Sequence, residues 1–83
     1  MNREEVIEKL KEIIEPYVQN KEAFANVSEE TDLLTDLKVN SAHLVDIVLD
    51  AEEAFDIEID DDSAEKMLTV KDAVNIILEK AGA

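Results

Sequence analysis

Residues 36–59 read DLKVNSAHLVDIVLDAEEAFDIEI. Asn40 and Ser41 are both side chains that favour a helix N-cap, and an apolar-periodic run follows them directly. Leu44, Val45, Val48, Ala51 and Phe55 share one face at helical spacing, and Ile47 and Leu49 flank that stripe. The segment therefore predicts an amphipathic helix that opens at Asn40 or Ser41. Beyond it, Ile57 and Ile59 alternate with acids as a strand would. No second strand-like run exists to pair with them, so a loop is expected.

Outward to the N-terminus, Val6, Ile7, Leu10, Ile13, Ile14, Tyr17 and Val18 recur at helical spacing against a glutamate- and lysine-rich opposite side. Pro16 lacks an amide proton and clashes with the carbonyl four residues back, so the helix should stop or bend near Glu15. From Asn20 to Val39 the periodicity is lost. Phe24, Val27, Leu33, Leu34 and Leu37 are enough to pin a long connection against a core, and an ordered connection of that length draws functional attention. Outward to the C-terminus, Asp60, Asp61, Asp62 and Ser63 can cap a short helix through Ala64 and Met67. Thr69 then caps a last helix with Val70, Ala73, Val74, Ile77 and Leu78 on its buried side. The expectation is an all-α fold: a small bundle of three main helices plus one short one, with a long first connection, as a single domain over residues 1–83.

Composition narrows the function. Acids outnumber bases 22 to 8, giving a formal charge of −14. A field of that sign repels nucleic-acid phosphates and anionic membrane surfaces and selects partners with basic patches. There is no cysteine, so any thiol the protein uses must be imported. No apolar stretch nears the roughly 20 residues that cross a bilayer, and the N-terminal residues lack the apolar core of a secretion signal. A cytoplasmic protein without membrane insertion is expected. A monomer is expected too, because the helical stripes use up the apolar surface.

Catalysis fails for want of parts. His43 is the one histidine, and Ser41 lies two residues before it, a spacing that puts the two side chains on different faces of a helix. No enzyme is expected. Asp56, Glu58 and Asp60 alternate like the start of a calcium loop, but Asp61 stands where the sharp turn needs glycine and Met67 where a bidentate glutamate should be, so no dedicated metal site is expected. Ser41 remains. As a bare fact it is an N-cap, but between Lys38 and Lys66 there is no lysine or arginine while ten acids fall in that interval. A one-sign stretch over a helix and its following loop costs stability through self-repulsion, and a docking role accounts for it.

The run Asp36-Leu37-Lys38-Val39-Asn40-Ser41-Ala42, followed by the acidic helix ending Glu52-Glu53-Ala54-Phe55-Asp56-Ile57-Glu58-Ile59, resembles the acyl carrier proteins, whose usual signature is D-L-G-x-D-S-L before a helix ending E-E-x-F-x-I-x-I. The likeness covers nearly the whole chain, including Ala64-Glu65-Lys66 and Thr69-Val70. Three positions depart from it: Lys38 stands for the glycine, Asn40 for the aspartate and Ala42 for the leucine.

The resemblance implies a covalent 4'-phosphopantetheine on Ser41, placed there by a phosphopantetheinyl transferase, and acyl groups held on that arm as thioesters between partner enzymes. It implies docking of acyl-transferring or condensing enzymes, through their basic patches, on Asp46, Glu52, Glu53 and Asp56 around an apolar centre of Ile47 with Val45 or Ala42. It also implies shelter for the acyl chain near Ile59, Ala64, Met67 and Leu68. The three departures suggest a specialised lipid or polyketide-type pathway rather than housekeeping fatty acid biosynthesis. Two alternatives stay open: an aminoacyl or peptidyl carrier, and an acidic helical interaction module with no prosthetic group, in which Ser41 is only a cap.

Overall fold

The computed structural model describes residues 2–82, and among them there are helices and turns but no strand. Helix α1 (Arg3–Ile14) is capped by Asn2, whose side chain accepts from the Glu5 amide. It runs into a 3-10 turn, Glu15–Tyr17, at the proline, as the missing amide proton dictates. Val6, Leu10 and Ile14 face inward at successive i, i+4 positions and are buried.

The long connection holds one element that periodicity does not reveal. Helix α2 (Lys21–Ala25) is a single turn capped by Asn20, whose side chain accepts from the Ala23 amide. The rest is organised by Asp32. Its Oδ1 accepts from the Leu34 and Thr35 amides at 2.8 and 2.9 Å, while its own amide donates to Asp36 Oδ2 at 2.8 Å. These bonds hold its carboxyl below the usual carboxylate range, the Thr35 amide contributing most. The turn they make drives Leu33, Leu37 and Val39 into the core.

Helix α3 (Leu44–Phe55) follows a 3-10 turn at Ser41–His43. It ends at Asp56, which takes the left-handed conformation at φ 54°, a form aspartate tolerates better than most side chains. The Ile57–Ile59 stretch is a loop, as expected. It is tied back to α3, because the Glu52 carboxylate accepts from the Ile59 amide at 2.7 Å. Helix α4 (Asp61–Glu65) is one turn long, and helix α5 (Val70–Lys80) is capped by Thr69. Lys80 reaches Asp60 at 3.0 Å and links the two ends of this half. At the other end Arg3 joins Glu29 and also donates to Asn75 Oδ1 at 2.7 Å, clipping α1 and the connection to α5.

The phase of α3 differs from the expected one. Ile47 and Ala51 are its fully buried residues, Leu44, Val48 and Phe55 are half-buried, and Val45 and Leu49 are exposed at 64% and 55%. At about 100° per residue the apolar side chains of α3 cover an arc of roughly 200°, wider than one core-facing stripe needs. The core takes one edge of that arc and leaves the other in solvent.

Candidate functional site

Asn40 caps the turn that opens α3, not Ser41. The Asn40 side chain accepts from the Ala42 amide at 2.9 Å and its carbonyl accepts from the His43 amide at 2.8 Å. Ser41 is thereby released from the capping duty and lies exposed at the positive end of a helix. Those two bonds engage the Ala42 and His43 amides. An anion attached at Ser41 is therefore stabilised by the helix dipole more than by contacts to those two amides.

Beside Ser41 opens a cleft of about 470 Å3 between α3 and α4. Val45, Val48 and Leu49 form one wall and Ile59 and Ala64 the other, with Glu52, Asp61 and Glu65 at the margins. The exposed apolar edge of α3 is thus the wall of this cleft. The excess breadth of its apolar arc was the signal in the sequence, although periodicity alone did not say which edge would stay out.

Of the four residues expected to shelter an apolar chain, Ile59 and Ala64 line this cleft and Met67 and Leu68 do not. Met67 is turned into the core, where it is 2% exposed, because its amide closes the turn after α4 on the Ala64 carbonyl at 3.2 Å. Leu68 points outward, 46% exposed, and its carbonyl is held by the Leu33 amide at 2.9 Å in the short antiparallel bridge of Asp32 with Thr69.

Among the expected docking residues, Asp46, Glu53 and Asp56 are exposed. Glu52 is half-buried and occupied with the Ile59 amide. Ile47 is corrected: at 1% exposure it is a core residue and offers no surface to a partner. Val45 and Leu49 present the apolar ridge in its stead. Asp50, which was not singled out, accepts from the Tyr17 hydroxyl at 3.0 Å, and the Tyr17 ring lies 5.3 Å from that of His43. That bond raises the Tyr17 phenol above its ordinary value. The pair fastens His43 and Asp50 to the 3-10 turn after α1 and so steadies the Ser41 turn.

No protein-family model matches the chain. Curated relatives do. An acyl carrier protein of Picosynechococcus is 46% identical over 96% of both chains. One of Desulforapulum autotrophicum is 45% identical over 88% of this chain and 94% of its own, and one of Thermotoga maritima is 41% identical over 98% of both. The solved structure of an acyl carrier protein from Enterococcus faecalis superposes with a TM-score of 0.78 at 34% identity, covering 96% of this chain and 99% of that one. Identity of that level along nearly the whole length, on the same helical framework and around an exposed serine at the mouth of an acidic helix, places the chain in the acyl carrier protein family: it is a carrier and not a catalyst.

Proposed function

We propose that Ser41 carries a 4'-phosphopantetheine arm and that the chain hands acyl groups between enzymes of a specialised lipid or polyketide-type pathway. The observation that carries this is the exposure of Ser41 outside the helix cap, next to an apolar cleft. The residues present suit the group. An exposed hydroxyl accepts the arm, the α3 dipole favours the phosphodiester charge, and the cleft beside it has a floor of aliphatic side chains. When attached, the arm supplies the thiol that this cysteine-free chain lacks.

The chain's own residues perform the rest. Val45 and Leu49 give a partner enzyme an apolar centre, ringed by Asp46, Glu53 and Asp56, and pairing of those acids with basic partner groups gives encounters that are fast and salt-sensitive. Val48, Ile59 and Ala64 offer the carried chain a surface away from water. At about 25 cal/mol per Å2 of apolar area covered, a few methylenes laid there gain on the order of 2 kcal/mol, enough to protect and not enough to trap. Ala42, where the family has leucine, removes apolar contact at the start of the helix, which fits partners that differ from the housekeeping set.

Coexpression with phosphopantetheinyl transferases, followed by intact mass, tests the assignment. Wild type is expected to gain the mass of one arm and Ser41→Ala none. An unmodified wild type with several transferases would favour an acidic interaction module with no prosthetic group.

A further inference from the structure

At the end of α3 remote from Ser41, α1 and α3 enclose a second open groove, of about 780 Å3. Its floor is apolar: Ile7 and Phe55, both half-buried, and the exposed Ala54. Four glutamates of α1 line it, and Lys9 is the one cation among its lining residues. From Ser41 to this floor is roughly 20 Å along the helix at 1.5 Å per residue. The groove has no part in the cleft beside Ser41, and a molecule seated in it leaves that cleft open.

We propose that this groove is a second protein-docking surface, which takes an amphipathic basic segment of a partner, an apolar side chain on Ile7 and Phe55 with lysines or arginines over the glutamate rim. Charge complementarity selects the occupant. A second copy of this chain carries the same −14 and is repelled, nucleic acid and anionic lipid are repelled on the same ground, and a free hydrocarbon has no use for the acid rim. A basic helix satisfies both floor and rim, in the manner of helix-in-groove recognition. The consequence is tethering: a partner held here keeps the carrier close while Ser41 faces another active site, which raises the effective concentration of the second encounter.

The test uses the full unmodified chain, so it stands or falls apart from the fate of Ser41. A synthetic amphipathic leucine–lysine peptide is titrated into the 15N-labelled protein, with Glu4→Lys/Glu8→Lys set against Asp61→Lys/Glu65→Lys, two pairs of equal charge change. Saturable shifts at Ile7, Ala54 and Phe55 are expected, with the groove pair weakening binding about tenfold and the control pair about twofold or less. Ala54→Arg, an exposed substitution that puts a cation on the floor, is expected to weaken it likewise without disturbing α1. Equal losses in the two pairs, shifts centred on Val45 to Leu49, or no saturable binding would each overturn the proposal.

Discussion

Asn40 and Ser41 divide between them what one residue was expected to do. Because the cap belongs to Asn40, Asn40→Ala should lower stability by about 1 kcal/mol, while Ser41→Ala should stay within about 0.5 kcal/mol of wild type. Urea unfolding of the two variants checks this, and the reverse order would return Ser41 to a structural role. Three residues earlier, Lys38 sits at φ 59°, in the left-handed region that L side chains pay to enter. Its position is the one where the family signature has glycine, the residue that enters this region without a steric penalty. Lys38→Gly should therefore raise stability by about 1 kcal/mol, read from the urea midpoint. The motif made both positions conspicuous in the sequence. The division of labour was not legible, because Asn and Ser are equally good caps and only the backbone path decides between them.

Among the elements, α5 was legible to its Thr69 cap and α1 to its stop at Pro16, though not to its Asn2 cap, since each carries one apolar stripe of the width a small core accepts. α3 was legible as a helix but not in its rotation. Eight apolar side chains around more than half its circumference leave two consistent burials, and packing against α1 chose the one that buries Ile47 and Ala51. The two burials differ in a measurable way. Ile47→Ala should cost about 2–4 kcal/mol as a core truncation, and Leu49→Ala about 0.5 kcal/mol or less. A large loss at Leu49 with little at Ile47 would mean that the helix is turned the other way. Helix α2 escaped notice because a single turn, Lys21–Ala25, is too short for a 3.6-residue period to register. The Asn20 cap was its one trace. In the candidate site the same limit applies: the resemblance groups Met67 and Leu68 with Ile59 and Ala64 around the acyl chain, and the turn after α4 sends one inward and the other out.

For the whole molecule the charge is the governing quantity. With −14 spread over 83 residues, added salt should raise the melting temperature by screening self-repulsion, and an unchanged melt from low to high salt would contradict that. Acid acts in the opposite direction through two particular carboxylates. Asp32 is held low by the Thr35 and Leu34 amides, and Asp60 lower still by Ser63 and then by Lys80. A carboxyl depressed in the folded state contributes stability that is complete above its unfolded value and is lost as pH falls through the folded one. Unfolding followed from about pH 6 to about pH 2 should show that loss below the usual carboxylate range. Replacing Asp32 and Asp60 by asparagine should flatten it. An equally steep acid limb in the double variant would assign the loss to other groups.

The carrier function turns on one hydroxyl among three serines, Ser28, Ser41 and Ser63. Fragmentation mass spectrometry of the chain after reaction with coenzyme A, magnesium and a phosphopantetheinyl transferase reads directly which serine holds the arm. A single arm on Ser41 is predicted. An arm on Ser28 or Ser63, or none after exhaustive reaction, would contradict it.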